Sequence, residues 1–368
     1  MARADLRSST GSAFAVVSSM AAAVTAQPTP PVTEHLATDA VIRVAGLTKS
    51  YGDLVAVDDI SLAVERGEIF GILGPNGAGK TTTLEMIEGL RAPDGGTVEV
   101  DGMRVWPEPK DVKRRIGVQL QATALFDYQR LHEIIYIFGS CYGIYRGREA
   151  CVALLERVGL ADKAEAFVDE LSGGQAQRLS IALALVNDPV VTFLDEPTTG
   201  LDPRARRALW DVIGEINRDG TTVVLTTHYM EEAERLCDRV AVMDRGHIMA
   251  LDVPRALITQ LGAEATVRFD LSDHVPAAEL CSLDGATDCR AVENGYEVVA
   301  DDAQRTVVSL LDFAHTRGLR VAHLDVKGAD LEDVFLSMTG RKLNDDEDEA
   351  GASSAPKKRR RFGFGGGR

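Results

Sequence analysis

Gly74-Pro75-Asn76-Gly77-Ala78-Gly79-Lys80-Thr81-Thr82 lies between an apolar run, Ile69 to Leu73, and a segment of helical spacing, Thr81 to Leu90. The pattern G-x-x-x-x-G-K-[ST] in that strand, loop, helix order predicts a phosphate-binding loop. Its glycines let the backbone turn with N–H groups pointing inward, and the start of the helix adds partial positive charge to the same concavity. Lys80 brings a full charge to the terminal phosphates of a nucleotide. The Thr81 hydroxyl is placed for Mg²⁺, which binds through few protein ligands and the phosphate oxygens of its substrate.

Upstream of the loop, Val41 to Val44, Ile60 to Val64 and Glu68 to Leu73 read as strands separated by polar and glycine-containing turns. Tyr51 falls between the first two. Its ring is suited to stacking on a purine, or to ordinary packing. Residues 1–38 are rich in Ala, Ser, Thr and Pro, with Arg3 and Arg7 ahead of a mildly apolar stretch, Ala13 to Ala26. They resemble a secretory leader only faintly. A secreted nucleotide-hydrolysing domain would lack its substrate, so a disordered extension, or a true start at Met20, is the preferred reading.

Downstream, Gly96 to Gly102 reads as a strand and turn, and Arg114 to Gln121 as an apolar strand ending in a glutamine. Gln121 is either a neutral sensor of metal and terminal phosphate or a polar strand end. From Leu131 to about Leu160 the apolar spacing is helical, so a helical insert divides the sheet. Leu171-Ser172-Gly173-Gly174-Gln175 then opens a helix, making a second anion-binding terminus. Val190 to Glu196 is a nearly continuous apolar run ending in two carboxylates, as expected of a buried parallel strand. Ligands gather at the carboxyl ends of such strands.

Adjacent residues on a strand point oppositely, so Asp195 and Glu196 take different tasks. Asp195 is suited to holding Mg²⁺ and Glu196 to orienting and deprotonating a water, a role worth about 10²–10⁴ in rate. Asp202-Pro203 begins another helix. The strand Thr222 to Thr226 ends at Thr227-His228, which places His228 near the carboxylates and a γ-phosphate.

The chain has 368 residues and a formal charge of −16, which argues against a general nucleic-acid binder. No run of about 18 apolar residues is present, so a membrane role needs a partner. Five cysteines without C-x-x-C spacing read as reduced, mostly packed thiols rather than disulfides or a zinc site.

Tyr51, Gly74 to Thr82, Gln121, Leu171 to Gln175, Phe193 to Pro197, Asp202 and His228 together resemble the ATP-binding cassette (ABC) ATPases in order and spacing. The Leu-Ser-Gly-Gly-Gln sequence is that family's signature. The resemblance implies an α/β phosphate-loop NTPase core with an antiparallel β subdomain and a helical insert. It further implies ATP and Mg²⁺, and a head-to-tail homodimer in which one copy's phosphate loop and the other's Ser172, Gly173, Gly174 and Gln175 enclose ATP. Tyr51 would stack on adenine, while Gly74, Pro75, Asn76, Gly77, Ala78, Gly79, Lys80, Thr81 and Thr82 would cradle the phosphates. Thr81, Gln121 and Asp195 would serve the metal. Glu196 would be the general base, His228 the switch histidine, and Asp202 would lie at the dimer seam.

The implied organisation is an N-terminal extension (1–38), an ABC ATPase domain (39–260) with a helical subdomain at about 122–186, a small C-terminal α+β domain (262–340) and a charged tail (341–368). The α+β segment, ending in Leu331-Glu332-Asp333-Val334-Phe335-Leu336, resembles the extension of ABC-2-type exporter ATPases of the daunorubicin and multidrug resistance group. That implies a subunit on the cytoplasmic side of a membrane, energising efflux of a drug, antibiotic or other small amphipathic compound through a separate ABC-2-type permease. Where exporters usually carry a Leu-Thr-Val-x-Glu-like stretch, this chain has Arg130-Leu131-His132-Glu133-Ile134, which bears on coupling to that permease. The tail's Lys357 to Arg361 is suited to weak contact with anionic lipid heads, or to pairing with Asp345 to Glu349. The alternative is a soluble ABC ATPase acting on ribosomes or nucleic acid. One cassette without a long coiled-coil insert disfavours it.

Overall fold

The computed structural model describes residues 39–119, 128–260, 265–292 and 295–340. Gln121, the N-terminal extension and the charged tail lie outside those residues. The chain opens with β1 (Ala40–Tyr51), β2 (Leu54–Glu65), β3 (Ile69–Leu73), α1 (Lys80–Ile87), β4 (Gly95–Val100), β5 (Met103–Arg104), α2 (Lys110–Lys113) and β6 (Ile116–Val118). Strands β1, β2, β4 and β5 form an antiparallel sheet in the order β2-β1-β4-β5. Strand β1 runs on to Tyr51, well beyond Val44. A bulge at Ala45 and Gly46, where Gly46 takes φ +60°, re-aims the strand so that Leu47 is buried again.

The helices α3 (Leu131–Cys141), α4 (Arg148–Arg157) and α5 (Gly173–Ala184) follow. The expected helical stretch from Leu131 to Leu160 is therefore broken at residues 142–147. There Gly143 takes φ +75° and turns the chain so that α3 and α4 pack as a pair. Next come β7 (Val191–Asp195), α6 (Pro203–Arg218), β8 (Thr222–Thr227), α7 (Met230–Leu236), β9 (Arg239–Asp244), β10 (His247–Asp252) and α8 (Pro254–Gln260). The central sheet has the order β10-β9-β3-β8-β7-β6, parallel except for the β10 edge. Strands β3 and β8 are buried along their whole length, which explains the unbroken apolar run of β3 and the Val223-Val224-Leu225 centre of β8. One core cluster joins this sheet to the antiparallel sheet through Phe70, Ile72 and Phe193, and a second joins it to the helices.

The remainder is β11 (Ala265–Leu271), α9 (Ala277–Leu280), β12 (Ala286–Val292), β13 (Gly295–Ala300), α10 (Ala303–Arg317), β14 (Val321–Lys327) and α11 (Leu331–Thr339). The four strands form an antiparallel sheet, β12-β13-β11-β14, with its own core around Phe269, Val298 and Leu310. Helix α11 does not join that core. Leu331, Val334 and Phe335 are buried in the ATPase cluster with Ala233 and Leu257.

The reading of all five cysteines as reduced thiols does not hold. Cys281 and Cys289 are paired in a disulfide, with Cα atoms 5.5 Å apart, while Cys141, Cys151 and Cys237 are free. The end of α9 and the body of β12 bring the pair within disulfide reach. A separation of eight residues does not reveal that return of the chain.

Candidate functional site

The site is built on the carboxyl ends of β3, β7 and β8, which are neighbours in the central sheet. Gly74 leaves β3 with its N–H donating to the Thr227 carbonyl of β8 at 3.2 Å. A β-carbon at Gly74 would lie 2.2 Å from the Met243 carbonyl oxygen. One at Gly79 (φ +102°) would lie 2.3 Å from that of Ala56. Glycine at both positions therefore keeps the loop close to its floor. Asn76 and Gly77 are exposed at the crest, while Pro75 and Ala78 are buried beneath. The first amides of α1, at Lys80, Thr81 and Thr82, have no intrahelical acceptor by position and face this concavity.

Lys80 is buried, with Nζ donating to the carbonyls of Gly74 at 2.8 Å and Pro75 at 3.1 Å. Its ammonium also lies 3.3 Å from Glu196 Oε1. Burial lowers its pKa, and Glu196 opposes that shift. The Thr81 hydroxyl is 3.1–3.2 Å from both Asp195 oxygens. A hydroxyl and a carboxylate converging in this way form a hard-oxygen pair of the kind Mg²⁺ takes.

Glu196 leaves the end of β7 with φ +45°, a left-handed conformation that costs a non-glycine residue of order 1–3 kcal/mol. The neighbouring strand helps to fix it. Thr226 of β8 stands opposite Asp195 in the parallel register and donates its hydroxyl to Asp195 Oδ1, while accepting the Glu196 N–H at 3.0 Å. Glu196 Oε2 accepts from the Thr199 hydroxyl at 3.1 Å and lies 3.4 Å from His228 Nδ1. That nitrogen is buried and makes no formed hydrogen bond, so the histidine faces the carboxylate without being locked to it. His228 and then Lys80 outweigh burial and hold the Glu196 carboxyl at about 2.

Tyr51 is 41% exposed at the end of β1, with the Arg91 guanidinium 5.4 Å and Lys49 Nζ 5.8 Å from its ring. A solvent-facing ring is available for stacking. Ser172 caps α5: its hydroxyl accepts the Gln175 N–H at 3.4 Å, and Gln175 Oε1 accepts the Ser172 N–H at 3.0 Å. Gly173 and Gly174 lie in the first turn of that helix. Among the described residues, no hydrogen bond or ion pair joins Ser172 to Gln175 with the Gly74 to Thr82 loop. Asp202 caps α6, accepting from the N–H groups of Arg204 and Ala205 at 2.9 and 3.0 Å.

Sequence reasoning passed over Thr226, whose only signal is a hydroxyl at the end of an apolar strand. It also passed over Glu88, which closes α1 as its C-cap and is buried. Burial, then Asp195 and Glu85, push the Glu88 carboxyl up to about 8.

A nucleotide-phosphate loop, a metal-type oxygen pair and a strained carboxylate facing a histidine define the chain as a phosphate-loop nucleotide hydrolase. The ABC transporter family profile matches residues 57–199. The chain is 40% identical over 311 residues to Nod factor export ATP-binding protein I of Ralstonia nicotianae, covering 83% of this chain and 95% of that protein. It is 34% identical over 312 residues to linearmycin resistance ATP-binding protein LnrL of Bacillus subtilis, covering 83% of this chain and all of that protein. The structure resembles the ATP-binding subunit of an ABC transporter (TM-score 0.54, 28% identity, 60% of this chain and 93% of that one). It also resembles a bacterial ABC transporter cassette solved as a dimer (TM-score 0.52, 29% identity, 58% and 98%). The chain belongs to the ABC transporter family, as an ATP-binding and ATP-hydrolysing subunit, and it groups with the subunits of exporters. Among the described residues, no helix is long and apolar enough to cross a membrane.

Proposed function

We propose that this subunit powers efflux of a drug, antibiotic or other small amphipathic compound through a separate ABC-2-type permease, from the cytoplasmic side of the membrane. The supporting observation is the convergence of Lys80, Asp195, Glu196 and His228 at adjoining strand ends. The relatives named for Nod factor export and linearmycin resistance favour export as the direction of transport.

In the site, Lys80 exchanges its loop carbonyls and Glu196 for the γ-phosphate. Thr81, Asp195 and Gln121 would hold Mg²⁺, which when bound neutralises charge on the β- and γ-phosphate oxygens. Once Lys80 turns to the phosphate, Glu196 loses a cation that depresses its proton affinity and becomes a better base. It then takes a proton from the water that attacks the γ-phosphorus, while the bond to the β,γ-bridging oxygen breaks. His228 contacts the γ-phosphate and Tyr51 stacks on adenine.

Ser172 to Gln175 of a second copy would complete the site from the far side in a head-to-tail homodimer, with Asp202 at the seam. The similar bacterial ABC transporter cassette solved as a dimer supports that reading. The assigned domains are the ATPase (39–260), its helical subdomain (about 122–186) and the accessory segment (262–340). Helices α3 and α4 border a groove of about 510 Å³ lined by His132, Glu133, Tyr136, Arg146, Arg148 and Cys151. This is the face offered to the permease.

Affinity purification of the tagged chain from gently solubilised membranes tests this function. A stoichiometric multi-helix membrane protein is expected. Recovery free of membranes, with ribosomes or nucleic acid, would overturn it.

A further inference from the structure

We infer that Tyr229, held in place by Arg206, is a positioning residue that sets the orientation of the His228 imidazole. This rests on the role given to His228. The histidine is partly buried, with Nδ1 3.4 Å from Glu196 Oε2, and that nitrogen makes no formed hydrogen bond. The terminal torsion of a histidine is broad and does not choose the ring angle by itself. With Nδ1 unbonded, packing must choose it.

That packing comes from the next residue. On a continuing strand, Tyr229 would point to the face opposite His228. The chain instead turns out of β8: Thr227 ends the strand, and its hydroxyl accepts the Tyr229 N–H at 2.9 Å. A hydroxyl bonded to the backbone two residues on is a local turn device. With the strand ended in this way, the two rings lie side by side, their centroids 4.1 Å apart and their planes tilted by 43°.

Tyr229 is itself held from another element. The Arg206 guanidinium of α6 lies over its ring, 4.0 Å from the centroid. A cation within about 6 Å of an aromatic face is attracted to it, the more so where water is excluded. Arg206 Nε is buried without a hydrogen-bond partner, so contact with the ring, not a bond from Nε, places the guanidinium. Arg206 stands one turn into the helix that Asp202 caps, its N–H donating to the Asp202 carbonyl at 2.9 Å. The contacts therefore run from the Asp202 turn through Arg206 and Tyr229 to the histidine that faces Glu196. Since misplacement of a reacting group by about 1 Å can cost about 10²-fold in rate, a ring that touches no nucleotide can still set turnover. Both contacts are made by the Tyr229 ring, so phenylalanine should serve in its place and leucine should not.

Steady-state ATPase kinetics and melting temperature of the full chain decide the matter, comparing Tyr229→Leu, Tyr229→Phe, Arg206→Gln and the combination of Tyr229→Leu with Arg206→Gln, with His228→Ala as reference. Tyr229→Leu is expected to lower kcat by about tenfold while KM for ATP stays close to wild type, the split produced by lost transition-state geometry. Tyr229→Phe should retain most of the wild-type kcat. Arg206→Gln should show a smaller kcat loss, and adding it to Tyr229→Leu should lower kcat little further, because it acts through the ring. A lower melting temperature with wild-type kcat in Tyr229→Leu marks ordinary packing and overturns the inference. So does a loss confined to KM, a kcat loss equally large in Tyr229→Phe, or fully additive losses in the combined variant. Should Tyr229→Leu not fold, Arg206→Gln decides, and a wild-type kcat there counts against it. Wild-type turnover in His228→Ala would instead sink the underlying assignment of the histidine.

Discussion

Glu196 stands between Lys80 Nζ at 3.3 Å and His228 Nδ1 at 3.4 Å, in a left-handed turn that Thr226 helps to hold. The pairing of Asp195 and Glu196 was legible as two carboxylates at the end of an apolar run. The turn that separates their tasks was not, because it depends on the register of β7 with β8. Glu88 was invisible for a related reason: nothing in the sequence says that the end of the phosphate-loop helix is buried near Asp195.

The burial of Glu88 has a measurable consequence. Its folded pKa of about 8 lies above the ordinary 4.5, so the folded chain binds more protons than the unfolded one between those values. Its contribution is fully favourable below about pH 4.5 and is lost as pH rises to about 8. Glu88→Gln should match wild-type stability at the acid end and exceed it at pH 8 by an amount of the order of a few kcal/mol. Denaturant melts of both proteins across that window check this, and a difference that does not change with pH would contradict it.

At the scale of elements, the apolar runs Ile69 to Leu73 and Val190 to Glu196 became central parallel strands because burial on both faces leaves an unbroken apolar pattern. Strand β12 escaped notice. Its sequence, Ala286 to Val292, is largely exposed and carries no clean alternation. The residues of helix α11 were legible as the end of the α+β segment, but their packing partner was not. Leu331, Val334 and Phe335 pack in the ATPase core, and Glu234 of α7 accepts the Leu331 N–H at 2.8 Å. The last described helix therefore buttresses the helix that follows His228. Phe335→Ala should destabilise the chain by about 3–5 kcal/mol. In calorimetry, that loss should appear in the transition of the ATPase core. A change confined to the four-stranded β11 to β14 unit would contradict the packing.

For the whole molecule, no hydrogen bond or ion pair joins the phosphate loop to the capped Ser172 helix terminus among the described residues. Under the proposed head-to-tail pairing, two copies would bring these segments together twice over. The signature sequence made the family legible, whereas the cargo was not, because in the proposed function its path lies in a separate permease. Light scattering of Glu196→Gln with ATP and Mg²⁺ tests the shared site most directly. The mass of a dimer is expected with ATP and of a monomer without it, and a monomer under both conditions would contradict a nucleotide held between two copies.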